Sequence, residues 1–233
     1  MPAIITTKFR INNSEQFHES FTESSPNVYY LGLARPQAFG TPTRGDGRTD
    51  YEGTDSAPII PGDTVVAEFN TFDDLLAAKK ITSSDISFAV PRRNWATGTT
   101  YDIYRHDYGE YITGSTSNRN TANGGATTLH DANFYVLTTD RNVYKCIDND
   151  GNTASVNEPA GTGTSVITTA DGYRWKYMYT MSAAQQSNFL STDFMGISTN
   201  STVSSAAVDG SIDCIKIKSA GSGGTNGTHS VTI

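Results

Sequence analysis

The chain has 233 residues, of which 36% are hydrophobic and only 18% are charged. Thr, Ser and Gly number 32, 23 and 21, a composition that excludes a coiled coil or helical bundle, since those need Ala, Leu, Glu, Lys and Arg in bulk. The 17 basic and 24 acidic residues give a net charge of −7, which repels phosphate backbones and anionic membranes. We therefore expect no nucleic acid and no membrane as partners.

The first 34 residues predict a strand, a short helix and a second strand. Residues 4–10 are rich in β-branched side chains, as a strand is, and residues 12–14 offer an N-cap to a helix that carries Phe17 and Phe21 on one face. The unbroken apolar run over residues 28–34 predicts a central strand buried on both faces, which Arg35-Pro36 should end.

A long loop and a second helix are predicted next. Residues 40–62 are rich in Gly and Pro without any hydrophobic period, so we expect a loop used for interaction. Asn70-Thr71 should cap a helix over residues 71–80, because Asp73 and Asp74 lie in its first turn and Lys79 and Lys80 in its last. Alternation over residues 86–90 then predicts a half-buried strand closed by Pro91.

The central region predicts a β-hairpin and an amphipathic strand. Turn-forming residues dominate positions 98–125, and the hairpin follows, with residues 134–137 paired to residues 143–147. The second strand of the hairpin should pack one face and leave the other in water. After a loop over residues 148–163, residues 173–179 alternate aromatic and basic side chains, as an amphipathic strand does.

The predicted fold class is mainly β with a few short helices, in sandwich-like or barrel-like modules joined by long loops. One β-rich region should span residues 1–198; an alternative division is a core of 1–90 plus 165–198, with 91–164 as an inserted β module. Residues 199–233 turn Gly-, Ser- and Thr-rich, with strand patterns at 212–218 and 230–233. Because the last pattern lacks a partner strand, we expect a further β module to open here and the chain to continue.

No catalytic, cofactor or metal site is predicted. Residues 148–152 resemble a calcium loop, but Gly151 precedes Asn152, which is the wrong order for an EF-hand. No serine lies in a nucleophile motif. The four histidines lack metal-ligand spacing; these are His18, His106, His130 and His229. Cys146 and Cys214 are far apart and are expected to be reduced residues of strands. An enzyme is therefore not expected.

Two clusters are candidates for binding. The block Arg92-Arg93-Asn94-Trp95 could clamp carboxylates or anchor a protein interface; equally, an Arg could stack on Trp95 and close a sheet edge within the chain. The tyrosines between residues 101 and 111 could stack on sugars, bury against a neighbouring subunit, or simply pack within the sheet.

Five blocks of sequence, in this order, resemble a known family: the dimer-forming baseplate wedge subunit, gene product eight, of T-even-like contractile-tailed phages. They are residues 5–10, 31–35, 90–95, 143–148 and 171–177. Pro-Arg-Arg-Asn-Trp and Asp-Gly-Tyr-Arg-Trp, which lie in the third and fifth blocks, are the most specific. The stretch after Thr199 departs from the family pattern.

The resemblance implies a non-enzymatic structural subunit of the virion tail baseplate, assembled in the host cytoplasm. It implies a homodimer that bridges other baseplate wedge proteins and needs no cofactor. The residues expected to be interface or structural anchors are Arg35, Arg92, Arg93, Trp95 and Trp175. The alternative function is a carbohydrate-binding β-module for host glycans, with stacking platforms at Tyr101, Tyr104, Tyr108 and Trp175.

Overall fold

The computed structural model describes residues 7–25, 27–34, 53–54, 57–58, 75–212, 215, 222–223 and 227. The chain divides into two compact units, Met1–Ser87 and Phe88–Ile233. The division of the chain at residue 198 stays a prediction.

The secondary structure confirms a mainly β fold. The helices are α1 (Thr7–Glu19), α2 (Ala183–Phe189) and α3 (Ser201–Ala206). The strands are β1 (Tyr29–Ala34), β2 (Gly53–Thr54), β3 (Ala57–Pro58), β4 (Leu75–Ile81), β5 (Ala89–Pro91), β6 (Tyr135–Leu137), β7 (Asn142–Asp148), β8 (Ile167–Thr168), β9 (Arg174–Thr180) and β10 (Phe194–Gly196). These strands pair antiparallel in one four-stranded and three two-stranded sheets. Across the described residues the sheets are open, so no barrel forms.

In the first unit, α1 overturns the strand predicted over residues 4–10, of which residues 4–6 lie outside the described part. The helix runs through residues 12–14, where an N-cap was expected. Phe17 and Phe21 do meet, edge to face at 5.2 Å, and both rings contact Tyr29. Phe21 lies two residues beyond the end of α1, so this contact joins the end of the helix to β1 rather than two turns of one helix.

Strand β1 confirms the strand predicted at residues 28–34, but its predicted burial on both faces was wrong, because residues 30–33 are exposed and Tyr29 is only half-buried. The helix predicted over residues 71–80 was also wrong: β4 pairs with β1, with Tyr29 opposite Ile81 and Leu33 opposite Ala77. Helix propensities differ by less than about 0.7 kcal/mol per residue among ordinary residues, so a paired partner strand can override them. Residues 70–74 lie outside the described part.

In the second unit, the four-stranded sheet has the order β6-β7-β9-β8. The predicted hairpin is confirmed: β6 pairs with β7, with Leu137 opposite Val143, across a turn in which Arg141 has a φ of 63°. Strand β9 confirms the predicted alternation, since its aromatic residues are buried and its basic residues are half-buried.

Both faces of this sheet are packed, so the expectation of a wet face on β7 was wrong. One core cluster contains Val136, Tyr144, Cys146, Tyr173, Trp175 and Tyr177, with Tyr101 packed on them. The other cluster contains Tyr135, Leu137, Val143 and Tyr179, covered by Met181 and Met195. A shift of register in β9 places Tyr177 opposite Tyr144 but Tyr179 opposite Val143. This bulge moves Tyr179 to the second face.

The remaining described elements of the second unit are a two-stranded sheet and two short helices. Strand β5, shorter than predicted, pairs with β10 and sets Val90 opposite Met195. Helix α2 begins with a capping box between Ser182 and Gln185, and the Asn200 side chain caps α3. Neither helix was predicted. Most of the strand expected at 212–218, all of that at 230–233, and Cys214 lie outside the described residues, whereas Cys146 is buried in β7.

Candidate functional site

The Pro-Arg-Arg-Asn-Trp block extends from β5 along the outer edge of β6. Leu137 donates its backbone N–H to the Arg93 carbonyl at 2.7 Å, and Trp95 donates its backbone N–H to the Leu137 carbonyl at 2.9 Å. Asn94 and Leu137 form a parallel bridge. The block therefore closes a sheet edge that would otherwise expose unpaired backbone groups.

Arg93 ties this segment to the loop before β6. Its guanidinium donates to the carbonyls of His130 at 3.2 Å and Asp131 at 3.0 Å, and to the Asn133 side chain at 3.4 Å. The group lies over the ring of Tyr135, 5.4 Å from its centroid, so the stacking partner is Tyr135 rather than Trp95. Its Nε is buried and, in the described structure, has no acceptor.

Arg92 ties the same segment to the loop before β10. Its Nη1 donates to the Ser191 carbonyl at 2.8 Å and its Nε to the Asn94 side chain at 3.0 Å, while its backbone N–H donates to the backbone carbonyl of Asp193 at 2.7 Å. Arg92 and Arg93 thus hold different loops and use neutral oxygens as acceptors. The two guanidinium groups do not converge on one carboxylate site, as the clamp hypothesis would require.

Trp95 links the two most specific sequence blocks through a buried serine. Its indole N–H donates to Ser155 Oγ at 3.2 Å, and Ser155 Oγ donates to Asp171 Oδ2 at 3.0 Å. Asp171 opens the Asp-Gly-Tyr-Arg-Trp block. Sequence blocks that are 76 positions apart, counted from Trp95 to Asp171, therefore meet through one hydroxyl group.

Asp171 is the centre of a hydrogen-bond network. Its carboxylate also accepts from the backbone N–H groups of Val156 at 2.8 Å and Asn157 at 3.0 Å, and from the Thr169 hydroxyl. Burial alone would raise the pKa of this carboxyl, but the hydrogen bonds to its charged form outweigh burial and lower the pKa to about 2. The group is therefore a charged acceptor at neutral pH that joins the 155–157 loop to the turn before β9.

Trp175 lies at the centre of the first core cluster and is fully buried. Its ring stacks on Tyr173 at 5.5 Å and meets Tyr101 edge to face at 5.5 Å. Trp95, partly buried, packs against the same cluster. The structure thus brings Trp95 and Trp175 into one core, whereas Arg35 lies outside the described residues.

Sequence reasoning missed the buried polar residues that organise this region. Asp102 accepts from the backbone N–H groups of Gly124 and Asn133, both at 2.8 Å, and Asn149 donates to the Tyr101 carbonyl at 2.9 Å. Ser155 is likewise buried. The Asp-Gly turn signal pointed to Asp171, but nothing in the local sequence distinguishes Ser155 or Asp102 from the many other polar residues of the chain.

The first unit carries a different kind of surface, rich in exposed apolar side chains. On α1 these are Phe9, Ile11 and Phe17; on the ribbon of β1 and β4 and just before it they are Val28, Tyr30, Leu31, Leu33, Leu75 and Leu76. Exposed apolar groups clustered in this way are characteristic of interaction surfaces. Among the described residues, this is the strongest candidate for a binding surface in the first unit.

The sequence profile of the family described as Bacteriophage T4, Gp8 matches residues 3–213. The chain belongs to this Gp8 family. No individually curated protein matches it. The match confirms the resemblance drawn from the five sequence blocks. Membership of this family makes the chain a structural component of a phage tail baseplate, located in the virion tail and associated with other baseplate proteins.

The glycan alternative does not fit the placement of the aromatic side chains in this chain. Tyr101 and Trp175 are buried and offer no face to a sugar. Tyr104 has Lys145 Nζ over its ring at 4.4 Å, and Tyr108 is half-buried, with its hydroxyl donating to the Ile103 carbonyl. Most of the proposed stacking platform is therefore part of the fold.

The loop over residues 98–125, where turn-forming residues dominate, is held by contacts within the loop itself. Arg105 pairs with Asp107 at 2.7 Å, and Asp107 also accepts from the Asn120 side chain. Tyr111 and Arg119 form an antiparallel backbone bridge. The Arg119 guanidinium lies 4.1 Å from the Tyr111 ring centroid. A small hairpin results.

Over the part of the chain that the structure describes, no group of three or more His, Cys, Asp or Glu side chains could hold a metal ion. Within the same residues, no helix is long and apolar enough to cross a bilayer.

Proposed function

We propose that this Gp8-family chain is a baseplate wedge subunit that forms a homodimer and bridges neighbouring baseplate proteins. Its function is the geometry of its contacts, and it transforms no substrate. We propose further that it is assembled into the virion in the host cytoplasm, without nucleic acid or membrane as partners, in keeping with its net charge of −7.

The observation that carries this proposal is the difference in apolar burial between the described parts of the two units. The described core clusters belong to the second unit, whereas the described part of the first unit exposes most of its apolar side chains. Side chains such as Leu33 and Leu76 remain more than half exposed. Apolar surface of this kind supports burial against another subunit, as in obligate assemblies.

The second unit supplies rigidity to the proposed bridge. Arg92, Arg93, Trp95 and Trp175 act as structural anchors, because their contacts join separate loops to the four-stranded sheet. Arg35, which follows β1, is proposed as an interface anchor. A rigid body of this kind can transmit motion through its contacts when a tail contracts.

The proposal is tested by light scattering on the purified chain and by mixing it with the other baseplate proteins of its phage. We expect a dimer and at least one stable complex with a baseplate partner. The double variant Arg92→Ala/Trp95→Ala should lose folding stability and, as a consequence, assembly. A monomer that joins no baseplate protein would contradict the proposal; a double variant that folds and assembles normally would remove the anchor assignment.

A further inference from the structure

We infer that Asn123 is a latent deamidation site and that the buried carboxylate of Asp102 protects it. Asn123 precedes Gly124 in the sequence. Asparagine is thermolabile, most of all before glycine, because glycine has no Cβ to hinder attack on the asparagine side chain. Asn123 is exposed, so water reaches its side chain. The inference is independent of the proposed dimerisation and bridging.

The reaction requires the backbone nitrogen of Gly124 to lose its proton. That nitrogen attacks Cγ of Asn123, a C–N bond forms, and the side-chain nitrogen takes up a proton and leaves as ammonia. Water then opens the resulting five-membered imide at either of its carbonyl carbons and gives aspartate or isoaspartate. The overall change consumes a water molecule and releases an ammonia molecule, with no oxidation or reduction.

In the folded chain, Asp102 holds the proton that this reaction must remove. Its Oδ1 accepts from the backbone N–H of Gly124 at 2.8 Å, and its Oδ2 accepts from that of Asn133 at 2.8 Å. Asp102 is only 4% exposed, and its own backbone N–H donates to the Asn133 carbonyl at 3.0 Å, so the carboxylate is fixed in place. A deprotonated Gly124 nitrogen would lose this hydrogen bond and face a negative carboxylate that water screens poorly.

The turn that contains Asn123 adds a geometric barrier. Ala122, which is buried, donates its backbone N–H to the Ala126 carbonyl at 2.8 Å, and Gly125 donates its own to the Ala122 carbonyl at 2.9 Å. Closure of the five-membered ring needs the backbone of Asn123 to leave the allowed α and β regions, which a turn fixed at both ends resists. The reaction therefore needs prior opening of the turn.

The product would damage the loop that the turn belongs to. Isoaspartate routes the backbone through the former side chain, which adds a methylene group between Ala122 and Gly124 and a negative charge near Asp102. The hydrogen bonds across the turn could not keep their register, and the link from Asp102 to the turn would be lost. Asp102 thus preserves the covalent structure of the loop over residues 98–125 as well as its position.

The test follows deamidation at Asn123 by tryptic peptide mapping and mass spectrometry, while the full chain is incubated at mildly alkaline pH. Folded wild-type protein should react at least about tenfold more slowly than the same chain unfolded in guanidinium chloride, because the turn must open first. Asp102→Asn should raise the rate in the folded chain several-fold, because it removes the charge beside Gly124 and leaves one accepting oxygen for two donors. Trypsin cuts after Arg105 and Arg119, so residue 102 and Asn123 fall in different peptides.

Asp171→Asn is the matched control, because it makes the same chemical change at a carboxylate that binds other loops. Its rate at Asn123 should equal that of the wild type, and circular dichroism checks that both variants are folded. The inference fails if folded and unfolded wild type react equally fast, if Asp102→Asn reacts no faster than the wild type, or if Asp171→Asn accelerates the reaction as much.

Hydrogen exchange of the Gly124 amide gives a second measurement on the wild type alone, since exchange removes the same proton. Nuclear magnetic resonance should find this amide protected at least about tenfold relative to an unfolded chain. An unprotected Gly124 amide would overturn the inference even if Asp102→Asn does not fold.

Discussion

Asp171 shows how one side chain can fix several loops at once. It accepts hydrogen bonds from Ser155, Val156 and Asn157 in one loop and from Thr169 in another. Ser155 in turn accepts from the Trp95 indole, so the carboxylate also influences the segment that closes the edge of β6. Its pKa of about 2 keeps it charged at any physiological pH.

We expect Asp171→Asn to lower the free energy of unfolding by about 1–3 kcal/mol, because the amide NH₂ group cannot accept and leaves donors without partners, such as the hydroxyl of the buried Ser155. Urea denaturation followed by circular dichroism measures the difference. Asp209→Asn is the control, since Asp209 is exposed and its side chain has no hydrogen bond among the described contacts. Equal effects of the two changes would contradict the assigned role of Asp171.

The same residue predicts a dependence of stability on pH. The folded-state pKa of Asp171, about 2, lies below its ordinary value of 3.8, so the unfolded chain binds this proton first as the pH falls. The stabilisation is therefore complete above about pH 5 and is lost as the pH falls towards 2. Wild-type protein should lose more stability than Asp171→Asn over this interval, and parallel pH curves for the two proteins would refute the prediction.

At the level of elements, the sequence predicts a strand pair best when the two strands are close together in the chain. The hairpin of β6 and β7 follows from a turn between two short runs, and β9 follows from its strict alternation. The helix predicted at residues 71–80 was wrong. The charges near its two ends suit a helix, but pairing with β1 makes this segment a strand, and β1 lies about 45 residues earlier in the chain. The capping box of α2 was readable as Ser-x-x-Gln but was overlooked.

The turn before β9 allows a sharp test of backbone geometry. Gly172 has a φ of +83°, and a Cβ there would lie 2.6 Å from the Asp150 side chain. We expect Gly172→Ala to destabilise the protein by more than about 2 kcal/mol, through both left-handed strain and this clash. Gly161→Ala is the matched control: its φ is +95° with nothing within 4 Å of a Cβ, so it should cost about 1 kcal/mol, the strain alone. Thermal denaturation compares them, and equal losses would mean that the Asp150 contact is unimportant.

At the scale of the whole molecule, the described parts of the two units differ in how many apolar side chains they bury. Both core clusters lie within residues 88–233, while the buried residues of the described first unit are Ser20 and Phe21. Composition predicted the mainly β class, because Thr, Ser and Gly replace helix formers. It could not predict this division, since the apolar run of β1 reads like a core strand whether or not a partner covers it.

We therefore expect a fragment of residues 88–233 to fold on its own, with a cooperative thermal transition and a near-ultraviolet circular dichroism signal from its packed aromatic rings. A fragment of residues 1–87 should lack a cooperative transition at low concentration, because its described residues bury little apolar surface. The opposite pattern would show that the first unit is the stable one.

The placement of the two indole rings determines what an optical experiment can see. Trp95 and Trp175 are the only tryptophans in the chain, and both belong to the second unit. Trp175 is shielded from water, so its emission should lie well to the blue of the free amino acid and shift to the red when its surroundings open. Tryptophan fluorescence consequently follows melting of the second unit and does not report on the ribbon of β1 and β4, whose unfolding must be followed by another probe.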